Sequence, residues 1–242
     1  MSLFKGDKNA DSIQRLADYI DRSHSAVAIT GAGISVAGGG VTYGQMIFSR
    51  RSFGSRRSSD TGSFMPTYLE TMFSYKPSFA HYALADLEAE GKLIGIITTN
   101  VDCMHTIAGS KNVAEIQGSL QVNCCSDCGR HYDGYEIWQQ DELPRCEDCG
   151  GEILPWPLYS HIGLWDADVK KAKAWISEAD LILIIGTRGN FGDVYWNCRR
   201  RDAAIVQINP GHTGFDSAAD LNIREPCDDV FRKVTERRGG HG

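Results

Sequence analysis

The chain has 242 residues, 42% of them hydrophobic, and a formal net charge of −6. That length allows one large domain, or one domain with a small insert, and the acidic balance argues against general nucleic-acid binding. No apolar run approaches the length of a membrane span; the N-terminal stretch MSLFKGDKNADS lacks a signal-peptide core, and eight cysteines without such a signal predict a reducing, cytoplasmic setting.

In chain order, residues 11–22 read as a helix with Ile13, Leu16, Ala17 and Ile20 on one face. The short apolar run 25–30 ends in glycine and predicts a buried strand. Residues 36–66 are rich in Gly, Ser and Arg and predict a long loop or flap; Arg50, Arg51, Arg56 and Arg57 make it basic. A helix over 76–90 and a strand over 93–98 follow, then a short strand near 113–116. A cysteine-rich module spans about 120–154. Beyond it the pattern gives a helix over 167–178, a strand over 181–185, a helix near 194–201, a strand over 203–208, a short strand over 219–223 and a helix over 228–237. The GGHG tail is expected to lack order. Continuous apolar strands alternating with helices imply an α/β fold, an open parallel sheet covered on both faces. The cysteine module interrupts that alternation as an insert. The predicted division is therefore 1–118 with 155–242, and 119–154 between them.

Cys125-x-x-Cys128 and Cys146-x-x-Cys149 are separated by residues 129–145. This spacing suits a structural zinc site, in which four soft thiolates complete a tetrahedron; two disulfides are the competing reading. Gly129 and Gly150 follow the pairs and permit sharp turns. Cys103, Cys124, Cys198 and Cys227 are read as small apolar fillers.

Gly31-Ala32-Gly33-Ile34-Ser35 follows the first strand directly. Such a turn can bring backbone N–H groups against a pyrophosphate. Val36 stands where the usual dinucleotide fingerprint has its third glycine, and no acidic residue follows at the expected distance. A tight turn without a ligand is the competing reading of this motif alone.

Four stretches in order resemble the sirtuin (Sir2-like) family: residues 31–35; Thr98-Thr-Asn-Val-Asp102-Cys-Met-His105 with Ala108-Gly109; Glu115-Ile-Gln-Gly-Ser119 leading into the cysteines; and 180–187 with Gln207-Ile-Asn209. The resemblance covers about residues 10–235. It implies a Rossmann-like domain, a small zinc-binding domain and NAD⁺ consumed as a substrate between them. By motif position it implies Ala32, Gly33 and Ser35 near the NAD⁺ phosphates and Tyr43 over the nicotinamide ribose. Asn100 and Asp102 would line the nicotinamide pocket. Gly186, Thr187 and Asn209 would hold the adenosine half, with Cys227 bordering the adenine. Singly, Asn100 and Asp102 also read as strand-end caps.

Three positions depart from the family pattern. Gln117 stands where the general-base histidine is expected, Gly44 where an arginine ends the glycine motif, and Leu158-Tyr-Ser-His161 where a Phe-Gly-Glu segment helps seat acyl-lysine. A base that cycles a proton near neutrality suits histidine, and a glutamine amide lacks that basicity. On that ground the expected function is protein mono-ADP-ribosyl transfer with nicotinamide release, Asn100 and Gln117 being the catalytic residues, and deacetylation is disfavoured. The alternatives are an NAD⁺-dependent protein deacylase, an NAD⁺ glycohydrolase and a non-catalytic NAD⁺ or ADP-ribose sensor. The pattern is similar to the macrodomain-linked class M branch. That likeness implies an acceptor protein, a lipoate-carrying one among the candidates, and a macrodomain hydrolase as partner. His105 and His161 are weak candidates for a displaced base, His105 reading as a structural histidine.

Overall fold

In the computed structural model, residues 11–40, 74–139, 142–160, 163–189 and 203–239 are described. Tyr43, Gly44, the four loop arginines, His161, Cys198 and the expected helix near 194–201 lie outside them.

The first helix, α1 (Ser12–Arg22), starts where the Asp11 carboxylate accepts the Gln14 N–H. It buries Ile13, Leu16 and Ile20, the face read from the sequence. Strand β1 (Ala26–Thr30) follows, then two short 3-10 turns at Ala32–Ile34 and Val36–Gly38. Helix α2 (Phe79–Ala89) begins later than its apolar pattern suggests, because Pro77 and Ser78 precede it. Its first free N–H groups, on Phe79 and Ala80, donate to the Asp228 carboxylate. Next come β2 (Leu93–Thr98), the single-turn α3 (Met104–Ile107) and β3 (Val113–Glu115).

The cysteine-rich stretch folds as a separate antiparallel sheet in the order β5-β4-β6, built from β4 (Val122–Cys125), β5 (His131–Asp133) and β6 (Ile153–Pro155). Short α4 (Trp156–Tyr159), long α5 (Asp166–Glu178), β7 (Leu181–Ile185), β8 (Ala204–Ile208), β9 (Leu221–Ile223) and α6 (Cys227–Arg237) complete the described elements.

The main sheet is entirely parallel, in the order β3-β2-β1-β7-β8-β9. Both its faces are covered, which is why its strands read as unbroken apolar runs rather than alternating ones. Ala26 and Ala28 of β1, with Leu181 and Leu183 of β7, pack toward Leu16, Leu84 and Phe231 of α1, α2 and α6. Val27, Ile29, Ile182 and Ile184 face the other way, toward Ala172 and Ile176 of α5 and toward Phe215. Burial of the strands is therefore two-sided, and a polar replacement at any of these positions would meet apolar neighbours.

Candidate functional site

Strand order reverses at the middle of the sheet: β1 runs outward to β2 and β3, while β7 runs the other way to β8 and β9. In an open parallel sheet, ligands bind in the crevice at the carboxyl ends of the two strands flanking this switch point. Here those ends carry the glycine turn after β1 and Gly186 after β7. The Gly33 N–H donates to the Gly186 carbonyl at 2.9 Å. A Cβ on Gly33 would lie 2.6 Å from that carbonyl oxygen, and Gly186 itself has φ +59°. The two glycines are thus required by close approach of two backbones, which leaves the crevice floor free of side chains.

A side-chain network rises from this floor. The Ser35 hydroxyl donates to Asp102 Oδ2 at 2.7 Å. Asn100 Nδ2 reaches Ser35 Oγ at 3.2 Å and the Gly31 carbonyl at 3.3 Å. All three side chains are buried. Asp102 Oδ1 also accepts the Met104 N–H, and Thr98 Oγ1 accepts the Asn100 N–H, so both residues hold their own turns as well. Burial raises the Asp102 carboxyl above its ordinary range, while the bonds from Ser35 and Met104 oppose the rise. The glycine turn and the loop after β2 are therefore joined by buried polar groups.

On the β7–β8 side, Asn209 Nδ2 donates to the Thr187 carbonyl at 3.0 Å, and Thr187 Oγ1 accepts the Gly189 N–H. Thr187 and Asn209 are thus tied together just beyond the carboxyl ends of β7 and β8. Cys227, the first residue of α6, is packed in the apolar core, and burial pushes its thiol up to about 12. Gln117 sits half-buried in the turn after β3. Glu115 and Ser119, on either side of it, are joined by a short buried hydrogen bond. The sequence contains both within the quoted motif, but nothing in their spacing marks them as a pair.

His105 is structural here. Its Nε2 meets Thr30 Oγ1 at 2.8 Å, and its ring centroid lies 4.6 Å from that of His81, the planes tilted by 54°. Burial drives His105 well below the usual imidazole range and His81 down to about 4. Both are neutral at physiological pH, and both rings are buried.

The four cysteines of the small sheet converge. Their sulfurs all lie within 4.8 Å of one another, with Cys125–Cys149 at 3.5 Å and Cys128–Cys146 at 3.6 Å. Neither contact is a disulfide, for which the sulfurs would be about 2 Å apart. Four thiolates around zinc at about 2.3 Å would sit about 3.8 Å apart, so the donor set fits the ion. Two matching turns build it: the Cys125 carbonyl accepts the Gly129 N–H, and the Cys146 carbonyl accepts the Gly150 N–H. Tyr132 Oη donates to Cys146 Sγ at 3.2 Å and steadies one thiolate.

The Sir2 family pattern matches residues 31–191, from the glycine turn through the cysteines to the segment after β7. The chain belongs to the Sir2 family. This sirtuin is similar to the NAD-dependent protein deacetylase 1 of Pyrobaculum aerophilum, at 34% identity over 97% of this chain and 98% of the relative. It is also similar to the NAD-dependent protein deacetylase of Clostridium acetobutylicum, at 32% identity over 93% and 98%. Among solved structures, Sir2 in complex with the inhibitor EX-527, 2'-O-acetyl-ADP-ribose and a deacetylated p53 peptide matches with a TM-score of 0.76 and 27% identity, covering 93% of this chain and 99% of that one. Sirtuins use NAD⁺, and the four-cysteine cluster is suited to a structural zinc.

These relatives correct two expectations drawn from Gln117. The mono-ADP-ribosyltransferase reading and the disfavouring of deacetylation both fall against full-length relatives named as deacetylases. The physical reason lies in how much was asked of one position. Loss of a base weakens one proton transfer, and it leaves untouched the crevice that the whole family shares.

Proposed function

We propose that this sirtuin is an NAD⁺-dependent protein deacylase acting on acyl-lysine. The observation that carries the reading is the buried Ser35–Asp102–Asn100 network above the Gly33–Gly186 floor. It supplies fixed hydrogen-bonding groups at the switch-point crevice. The names and full-length coverage of the relatives support the same reading. Ala32, Gly33 and Ser35 would contact the NAD⁺ phosphates. Asn100 would fix the nicotinamide ribose and Asp102 the carboxamide, while Gly186, Thr187 and Asn209 would take the adenosine half. Tyr43 and Cys227 are assigned to the same site on the sequence motif. When bound, NAD⁺ supplies a glycosidic bond whose cleavage activates the ribose toward the acyl oxygen.

Gln117 is the residue we place beside the ribose, where it orients a hydroxyl without taking its proton. A missing base typically costs about 10²–10⁴ in rate, so the deacylation is slow and a Gln117→His variant is faster. The class M placement, with its macrodomain partner, rests on Gln117 alone. A lipoate-carrying protein fits this chemistry as substrate, since lipoate is an acyl group on lysine. The division into 1–118 with 155–242 and an insert at 119–154 is supported by the separate antiparallel sheet of the insert. Buried free thiols at Cys103, Cys124 and Cys227 suit a reducing cytoplasm. The test is to incubate the protein with an acetyl-lysine peptide, with and without NAD⁺. NAD⁺-dependent loss of the acetyl group is expected, and an intact peptide would refute the reading.

A further inference from the structure

Two residues before Gln117 lies a buried carboxyl that the proposed reaction leaves unused. Glu115 ends β3 and is 8% exposed. It accepts the hydroxyl of fully buried Ser119, whose oxygen in turn accepts the Gln121 N–H at 3.1 Å. The Gly118 N–H returns to the Glu115 carbonyl at 2.7 Å. The turn that carries Gln117 is thus closed twice, once through backbone and once through side chains. Its outer side is pinned as well. The Trp165 N–H donates to the Ile116 carbonyl at 2.9 Å, and the Trp156 ring covers Gly118, whose φ of +65° leaves little room for another residue.

The groups facing this carboxyl come from three elements. Ser119 lies in its own turn, Asp102 and Cys103 in the loop after β2, and Asp168 and Lys171 on α5. Asp168 accepts the Glu115 N–H at 2.9 Å and pairs with Lys171 at 2.7 Å. The surroundings therefore hold two further carboxylates and one cation already engaged by one of them. Burial first, and then these carboxylates, push the Glu115 carboxyl up to about 7, against the opposing pull of Ser119 and Lys171. A bond from a hydroxyl to an ionised carboxylate is roughly twice as strong as one to a neutral acid.

We propose that Glu115 is a positioning residue for the deacylation: ionised, it grips Ser119 and fixes the turn that presents Gln117, and on taking up a proton it relaxes that grip and slows the chemistry. The proposal rests on the deacylase reading for its rate effect, but the grip itself can be read without turnover.

The experiment compares wild type with Glu115→Gln from about pH 6 to about pH 8, a range centred on the carboxyl's own transition. At the upper end, kcat of the variant is expected about tenfold below wild type with KM for NAD⁺ unchanged, because the turn is misplaced while the cofactor floor is intact. At the lower end the two rates converge, since wild type has then lost the charge too. Ser119→Ala tests the other partner and covers the case in which Glu115→Gln does not fold. Losing the hydroxyl removes the grip at every pH, so kcat at the upper end is expected about tenfold below wild type and the acid limb that Glu115 imposes is gone. A wild-type to Glu115→Gln ratio that stays constant across the range, or a wild-type acid limb retained in Ser119→Ala, would overturn the proposal. Tryptophan emission is recorded in parallel, because Trp156 rests on Gly118. A pH-dependent emission change in wild type that is absent from Glu115→Gln supports the grip, and an identical change in both overturns it. If wild type removes no acyl group at any pH, the deacylase reading fails, and the emission titration still decides the grip.

Discussion

The Ser35 hydroxyl donates to Asp102 Oδ2 at 2.7 Å, joining the glycine turn after β1 to the loop after β2 across 67 residues of sequence. Asn100 reaches the same serine oxygen, so the two loops are joined at a second point. Ser35→Ala leaves the Asp102 carboxyl buried with one bond fewer. The expected result is a loss of about 1–3 kcal/mol in folding stability and a rise in KM for NAD⁺ of about tenfold. Urea denaturation and steady-state kinetics on the variant check both.

Gly33→Ala tests the crevice floor. A Cβ there would stand 2.6 Å from the Gly186 carbonyl oxygen and 2.8 Å from its Cα, both backbone atoms that cannot swing aside. The strands must part, or the Gly33–Gly186 hydrogen bond must break. The variant is expected to lose about 2 kcal/mol or more and to bind NAD⁺ at least tenfold more weakly, as calorimetric titration would register.

The cysteine cluster predicts about one zinc ion per chain, released by mercuribenzoate titration of the thiols. Cys146→Ser removes the thiolate that Tyr132 supports. It should lower zinc content sharply and unfold the small sheet β5-β4-β6, since a structural zinc contributes directly to folding. Near-UV circular dichroism would follow the loss of packing around Trp138, which is buried against Asn123 of β4. Full zinc retention in the variant would exclude Cys146 as a ligand.

The His81–His105 pair predicts an acid limb of stability. Burial lowers the folded pKa of His81 from 6.5 to about 4, and that of His105 in the same direction. For a base with a depressed folded pKa, the unfolded chain binds the proton first. The contribution is therefore complete above about 6.5 and declines as pH falls toward 4. For His81 it amounts to about 3 kcal/mol. Glu115 acts in the opposite sense: its folded pKa is raised from 4.5 to about 7, so its contribution is complete below 4.5 and is lost as pH rises through 7. The urea midpoint should fall below about pH 6, with a shallower slope in His81→Gln.

Much of this architecture was legible in the sequence because two-sided burial leaves a strong signal. The apolar runs read at 25–30, 93–98, 181–185 and 203–208 are strands, two of them starting one residue later, and the Cys-x-x-Cys pairs do meet. Short elements held by tertiary contacts were not legible. The single turn Met104–Ile107 exists because Asp102 captures the Met104 N–H, and Cys103 adopts φ +59° to let it start. The capture of the first N–H groups of α2 by Asp228, 149 positions from Phe79, is also a tertiary contact. The Glu115–Ser119 bond is likewise invisible to composition, since it requires the burial that raises Glu115. Gln117 is misleading for a different reason: the missing base bears on one proton transfer and not on the whole reaction.

Counting products separates deacylation from ADP-ribosyl transfer. Purified protein is mixed with NAD⁺ and an acetyl-lysine peptide, and mass spectrometry follows nicotinamide, peptide and protein together. A deacylase is expected to give one deacetylated lysine for each nicotinamide released, and no added mass on any protein. Nicotinamide released while the peptide keeps its acetyl group would contradict it.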